Sequence, residues 1–260
     1  MFVSLRAALV ATLTVASSSA LAQECKTVKI SGHPQFPPLI WEEGASMSGA
    51  GIELAKRVFG DLKIPIEIVS LGAYQRALDQ FKAGEIDLIP GIYHFPAREE
   101  FTTFVSPPFA KDPSHAWIKK GAKPVETKEQ LIGLRGLKVR GFLFGSEFDT
   151  FASAKLELGD SDNINSAFKM VDAGRVDYFL VSDFSGRSGL VSSDLAKDAV
   201  VRAPFIANTA AVHFGFSKKS PCAALAAKVG ERIQAMVDSG EAEKIVERGF
   251  ADWAAKTKSK

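Results

Sequence analysis

The sequence predicts an α/β protein made of two similar lobes joined by a hinge. One unit is written twice: AGEIDLIPG begins at residue 83 and AGRVDY begins at residue 173. Strand-like and helical patterns also alternate along the chain, which is typical of parallel sheets covered by helices. Finally, pairing of Cys25 with Cys222 would return the chain to its first half, and that return requires two crossings between the lobes.

The first 22 residues differ from the rest of the chain. Arg6 precedes a short apolar run from Ala7 to Val15, and an A-x-A cleavage site ends at Ala22. This pattern is typical of a secretory signal peptide, and the apolar run is too short to span a membrane. We therefore expect residues 1–22 to be removed and the mature protein to be soluble in the periplasm.

The composition is that of an ordinary globular protein. Apolar residues make up 46% of the chain, charged residues 24%, and the net charge is +2. Without a basic stretch containing aromatic residues, this balance argues against nucleic-acid binding. In an exported protein, a pair such as Cys25 and Cys222 is more often a disulfide than a metal site. Two unpaired buried thiols are the alternative.

The first half of the mature chain reads as alternating strands and helices. KTVKIS (26–31) and IPIEIVSL (64–71) are rich in β-branched residues and are predicted to be strands. The segment 51–62 between them places apolar residues on one helical face. HPQFPPLIW (33–41) is predicted to be a rigid loop, because its adjacent prolines fix φ and donate no backbone hydrogen bond.

The repeated unit is predicted to be a helix that ends at a glycine and continues into a buried strand. It occupies residues 73–91 and again residues 164–183. Gly84 and Gly174 suit the left-handed conformation that ends a helix. The aspartates that follow, Asp87 and Asp177, are interpreted as structural residues at the start of each strand.

The remaining segments assign the chain to two lobes. The first crossing is expected near residues 117–121, and the strand-like TAAVHFGFSKKSP (209–221) precedes a long helix over 222–240. We therefore expect residues 23–116 and 213–260 to form lobe 1 and residues 117–212 to form lobe 2. A cleft between such lobes, at strand ends and helix N-termini, is where ligands bind.

Six short motifs follow one another along nearly all of the mature chain. They are Phe36-Pro37-Pro38, GAGIELA (49–55), AGEIDLIPG, Pro96-Ala97-Arg98, FVSPPF (104–109) and LRGLKVRGFLFGS (134–146). In this order they resemble the periplasmic solute-binding proteins of ABC transporters, family 3, the group that captures polar amino acids.

The resemblance implies a type II periplasmic binding fold, with two mainly parallel sheets flanked by helices and a hinge of two crossing strands. It also implies a small carboxylate-bearing ligand, an inner-membrane ABC permease as partner, and a monomer without a cofactor.

Arg98 is the strongest candidate for a ligand-binding residue. Its planar guanidinium suits a carboxylate, and the resemblance implies that it holds the carboxylate of the ligand. The alternative is a surface arginine at a helix start, paired with Glu99 or with water. Because a cation is mildly disfavoured at a helix N-terminus, a binding role is the better explanation.

Ser146 and Asp183 are expected to complete the site from lobe 2. Ser146 opens a helix, where it either caps the helix together with Asp149 or helps to bind a carboxylate at the exposed N–H groups. The resemblance implies that an acid near Asp183 meets the ammonium group of the ligand. The spacing from Asp177 is one residue longer than usual, so the alternatives are a shift to Ser182 or an N-cap role for Asp183.

Four aromatic residues are expected to wall the cleft. Phe36, Trp41, Tyr74 and Tyr93 offer contact area and cation–π attraction, and ordinary core packing is the alternative for each.

The main departure from the family pattern is that Phe95 and Pro96 stand where relatives carry a threonine. The hypothesis of a carboxylate ligand remains, but the identity of the ligand is undecided. The alternatives to a standard α-amino acid are a smaller ligand, an aromatic ligand, or a ligand that is not an amino acid.

Catalysis is not indicated by the motifs. The four histidines are scattered, and the sequence contains no nucleophile elbow, P-loop or dinucleotide fingerprint. The chain is therefore predicted to bind its ligand without converting it. An exported dehydratase of the cyclohexadienyl or arogenate type is the enzymatic alternative, and a ligand-sensing partner of a membrane receptor is a third hypothesis.

Overall fold

The computed structural model describes residues 24–196 and 198–258, so the predicted signal peptide lies outside the described residues. Strands and helices alternate along this part of the chain, as predicted. The strands are β1 Val28–Ile30, β2 Gln35–Phe36, β3 Ile40–Glu43, β4 Ser46–Ser48, β5 Ile66–Ile68, β6 Leu88–Tyr93, β7 Thr102–Phe104, β8 Ala110–Lys119, β9 Arg135–Val139, β10 Glu157–Ser161, β11 Tyr178–Ser182 and β12 Val200–Ser217. The α-helices are α1 Ala50–Asp61, α2 Tyr74–Ala83, α3 Ser146–Lys155, α4 Ile164–Asp172, α5 Asp183–Val191, α6 Ala226–Asp238 and α7 Glu241–Lys258.

The main sheet has nine strands and carries both halves of the fold. Its order is β10-β9-β11-β8-β12-β6-β1-β5, with β7 paired to β12. β1 pairs in parallel with β5 and β6, and β9 pairs in parallel with β10 and β11. The long strands β8 and β12 run antiparallel between these two parallel groups, so the two sets of strands form one continuous sheet. The predicted mixed α/β class is confirmed.

The repeated unit is the same structure in both copies. α2 ends at Gly84 with φ 88°, and the turn after α4 contains Gly174 with φ 67°, so both glycines adopt the left-handed conformation. A carboxylate oxygen of Asp87 accepts a hydrogen bond from the N–H of Lys29 at 2.7 Å, and Asp177 accepts one from the N–H of Arg135 at 2.8 Å. Each aspartate therefore has the predicted structural role at the start of its strand, and it also ties that strand to its parallel neighbour.

The segment predicted as a rigid loop contains two strands, so that part of the prediction was wrong. β2, β3 and β4 form a small antiparallel sheet. Pro37 and Pro38 lie in the turn between β2 and β3, which the N–H of Leu39 closes by donating to the carbonyl of Phe36 at 3.0 Å. Prolines are tolerated there because the turn needs no hydrogen bond from their nitrogens.

The helix predicted over residues 222–240 is α-helical only from Ala226 to Asp238. A 3₁₀ helix at Pro221–Leu225 comes first and α6 follows it. α7 adds a further helix that the sequence pattern did not distinguish.

The buried apolar side chains form four clusters. Two of them, which contain Phe59 and Phe81, include residues of β1, β6, α1, α2, α6 and α7. The other two, which contain Tyr178 and Phe168, include residues of β8, β9, β11, α3 and α4. The boundaries 23–116, 117–212 and 213–260 remain a prediction.

A disulfide joins Cys25 to Cys222, as expected for an exported chain. It fixes the start of the described chain to the segment that precedes α6. No helix within residues 24–196 and 198–258 is long and apolar enough to cross a membrane.

Candidate functional site

A cavity of about 870 Å³ brings three separate segments of the chain together. The first, residues 93–98, covers the end of β6 and the turn that follows. The second, residues 141–149, joins β9 to the first turn of α3. The third, residues 208–211, lies on the crossing strand β12. Strand ends and a helix start therefore face one another across the hinge strand, which is the arrangement expected of a ligand cleft.

Arg98 lines this cleft and ends the 3₁₀ turn Pro96–Arg98. Its Nη1 donates to the backbone carbonyl of Tyr93 at 3.0 Å, and its guanidinium lies 5.1 Å from the ring centroid of Phe95. Among the described residues, the guanidinium makes no ion pair. Its remaining N–H groups can therefore bind an anion in the cleft, whereas the alternative of a pairing with Glu99 is not observed.

The start of α3 lines the opposite side of the cleft. Gly145 is the N-cap residue, and Ser146 is the first residue of the helix. Both oxygens of Asp149 accept backbone hydrogen bonds, from the N–H of Phe144 and from the N–H of Gly145, each at 3.0 Å. Gly145, and not Ser146, therefore occupies the N-cap position, and the carboxylate of Asp149 accepts the backbone hydrogen bonds at this helix start. Ser146 is exposed beside the positive end of the helix dipole.

Of the four predicted aromatic residues, only Tyr93 lines the cleft; Phe36 contacts Tyr93, and Tyr74 lies within electrostatic reach of Arg98. Tyr93 lines the cleft and meets Phe36 edge-on at 5.4 Å between ring centroids. Tyr74 packs against His33 at 4.7 Å. Burial raises the pKa of Tyr74, and the nearby charge of Arg98 acts in the opposite direction.

The fourth predicted aromatic residue, Trp41, lies outside this cleft. Its side chain is buried and packs against Trp253 at 5.7 Å between ring centroids. Both tryptophans line a different cavity, of about 440 Å³, next to Asn163 and Ser188. The sequence could not separate Trp41 from the cleft aromatics, because its partner comes from the C-terminal helix α7.

Asp183 is also placed outside the cleft. It is the first residue of α5, its side chain is 8% exposed, and it forms ion pairs with Arg202 at 2.6 Å and Arg187 at 3.7 Å. The N-cap role falls to Ser182, whose hydroxyl accepts from the N–H of Ser185 at 3.3 Å. Asp183 thus has two cationic partners within the protein.

Sequence reasoning missed Asp112, a fully buried acid in β8. Its two oxygens accept hydrogen bonds from the hydroxyl of Tyr93 at 2.6 Å and from the N–H of Phe184 at 3.0 Å. Burial raises the pKa of Asp112 to about 6, while the hydrogen bonds from Tyr93, Phe184 and Ser182 act against that rise. The sequence pattern predicted a crossing near residues 117–121 but no strand that contains Asp112, so no local signal singled this acid out.

A metal centre finds no support in the described part of the chain. No group of three or more histidine, cysteine, aspartate or glutamate residues there is arranged to hold an ion. His94 instead contacts Glu99 at 2.7 Å, and Nδ1 of His213 lies 2.8 Å from the carbonyl of Val105.

Comparison with known protein families shows to which family the chain belongs. Residues 28–252 match the model of the bacterial extracellular solute-binding proteins, family 3. The chain belongs to this family. As an extracellular solute-binding protein, it acts outside the cytoplasm. Among functionally curated proteins, no match was found.

Solved structures of two extracellular binding proteins and of one sensor domain share the fold. The probable amino-acid ABC transporter extracellular-binding protein ytmK from Bacillus subtilis is 14% identical, with a TM-score of 0.71 over 85% of this chain and 96% of that one. AbpA from Streptococcus pneumoniae, an amino acid ABC transporter substrate-binding protein bound to L-arginine, is 18% identical, with a TM-score of 0.62 over 88% and 96%. A histidine kinase sensor domain is also 18% identical, with a TM-score of 0.66 over 86% and 95%.

Proposed function

We propose that this solute-binding protein captures a small carboxylate-bearing ligand in the cleft and delivers it to an inner-membrane ABC permease. The observation that carries the proposal is the state of Arg98. Its guanidinium lines the cleft without an acidic partner among the described residues. A fixed cation in a partly enclosed cavity is a ready partner for a carboxylate, which it can bind through two parallel hydrogen bonds.

The start of α3 supplies a second group for the same anion. Its first backbone N–H groups have no partner within the helix, and they carry the positive end of its dipole. Arg98 on one side and Ser146 on the other therefore contact the ligand together only when both segments approach it. Ligand binding then favours the closed form by its difference in affinity for the two forms.

The cleft supports binding better than catalysis. A dehydratase-type reaction needs an acid or base free to exchange a proton with the substrate. Two lining residues could serve as acid or base, and both have partners in the protein: Asp149 accepts hydrogen bonds from two backbone N–H groups, and Nε2 of His94 contacts Glu99 at 2.7 Å. A sensor role would use the same capture step, and the similar fold of a histidine kinase sensor domain keeps it as the second candidate.

A thermal-shift panel on the mature protein tests the capture step. We expect organic acids and amino acids to include ligands that raise the melting temperature with concentration, since a ligand that binds the native state stabilises it. Matched amines without a carboxylate should leave the melting temperature unchanged. Stabilisation by amines alone, or by no carboxylate in the panel, would contradict the proposal.

A further inference from the structure

Each acid near the cleft already has hydrogen-bond or ion-pair partners within the protein. Asp149, the acid among the described lining residues, accepts hydrogen bonds from two backbone N–H groups. Asp183 is held by Arg202 and Arg187. Asp112 is fully buried, and both of its oxygens accept hydrogen bonds within the protein. An α-amino acid would therefore bring its cation into a cleft where, among the described lining residues, the acid already caps a helix and the cation Arg98 has no acidic partner.

Most of the cleft surface is apolar, although Asn208 and Thr209 also line it. Phe95 and Tyr93 line one side, with their ring centroids 5.9 Å apart, and Phe142 and Leu143 line the other. Leu143 is 65% exposed, the highest value among the exposed large hydrophobic residues of the described chain. An exposed leucine in a binding cleft becomes stabilising when an apolar ligand group covers it.

These two features select between ligand classes. An ammonium group buried without an acidic partner loses its hydration, and cation–π contact with Tyr93 or Phe95 repays only part of that cost. The apolar body of either ligand can cover Leu143 and Phe142. Only the acid that lacks the ammonium group does so without losing the hydration of a second charge. The carboxylate end is equally well served by Arg98 in both cases.

We propose that the cleft selects carboxylates with an apolar or aromatic body and without an α-ammonium group. This inference rests on the proposed function, because it assumes that Arg98 binds the carboxylate. It narrows the ligand from carboxylates in general to arylalkanoate-type and branched alkanoate-type acids.

Calorimetry with matched ligand pairs tests the proposal. Each pair shares one carbon skeleton: 3-phenylpropionate with L-phenylalanine, 4-methylpentanoate with L-leucine, and indole-3-propionate with L-tryptophan. The best-binding pair should favour the acid without the ammonium by about tenfold or more in Kd, the difference expected for one buried, unpaired charged group. Equal or tighter binding of the amino acid would overturn the proposal.

Two further measurements separate this inference from the proposed function. If the amino acids bind better and Arg98→Gln abolishes their binding, the inference fails while the proposed function stands. If neither member of any pair binds, the inference fails, and the proposed function fails as well only if no carboxylate of the thermal-shift panel stabilises the protein.

The apolar contact is tested by Leu143→Ser. It should weaken binding of the preferred acid by about threefold to tenfold through lost apolar burial. Ile132→Ser is the matched control, because Ile132 is 49% exposed and does not line the cleft. Unchanged affinity in Leu143→Ser, or an equal loss in both variants, would overturn the apolar part of the proposal.

Discussion

Tyr93 donates its hydroxyl to the buried carboxylate of Asp112 across 2.6 Å and thereby joins the end of β6 to the crossing strand β8. The same carboxylate accepts the N–H of Phe184 at the start of α5. One acid therefore connects a cleft-lining residue, a hinge strand and the first turn of a helix from the second half of the fold.

This connection predicts a pH-dependent stability. The pKa of Asp112 is raised from 3.8 to about 6, first by burial, so the folded protein binds this proton more tightly than the unfolded chain does. The contribution of Asp112 to the free energy of unfolding should therefore fall by about 3 kcal/mol as pH rises from 3.8 to about 6, and it should stay constant at higher pH.

The contribution of Asp112 can be isolated by denaturant unfolding. The wild type and Asp112→Asn are compared at a series of pH values across this window. The variant lacks the titrating group, so the stability of the wild type relative to the variant should decline through the window. Asp61→Asn, which changes an exposed aspartate, serves as the control. Parallel stability curves for the wild type and Asp112→Asn would contradict the assignment.

The ion pairs of Asp183 predict a structural role. Asp183→Asn should lower the free energy of unfolding by about 1–3 kcal/mol, because Arg202 and Arg187 lose their charged partner. Ligand affinity should remain within about twofold, since Asp183 does not line the cleft.

A double-mutant cycle with Arg202→Gln measures the coupling directly. The two substitutions should be less than additive in stability. A large loss of affinity in Asp183→Asn, with stability unchanged, would instead place this carboxylate against the ligand.

The disulfide predicts a stability that depends on oxidation. The double variant Cys25→Ser, Cys222→Ser should be less stable by about 2–5 kcal/mol, because the bridge closes a chain segment with a separation of 197 residues. Denaturant unfolding should give the same value for the variant and for the reduced wild type. Equal stability of the oxidised wild type and the variant would show that the bridge does not stabilise the fold.

Local patterns were sufficient to predict much of the fold. The two helix–glycine–strand units, with Gly84 and Gly174 at their turns, follow from apolar spacing and backbone preferences that act over a few residues. Asp87 and Asp177 were interpreted correctly because each acts at the start of its own strand. The small β2–β3–β4 sheet was missed because its prolines occupy a turn and leave the flanking strands free to pair.

The site was harder to predict because its contacts are long-range. Motif resemblance placed Arg98, Ser146 and Tyr93 near one another, and the structure brings them into one cleft. No local pattern shows that Asp183 meets Arg202, that Trp41 meets Trp253, or that Asp112 meets Tyr93. Those contacts depend on how the two halves of the sheet pack.

The central claim is that Arg98 binds the carboxylate of the ligand. Calorimetry with the best ligand of the panel should show a loss of affinity of about a hundredfold in Arg98→Gln and a smaller loss in Arg98→Lys, which keeps the charge but not the planar fork. Arg175→Gln, which changes an exposed arginine outside the cleft, should bind as the wild type does. Wild-type affinity in Arg98→Gln would contradict the account.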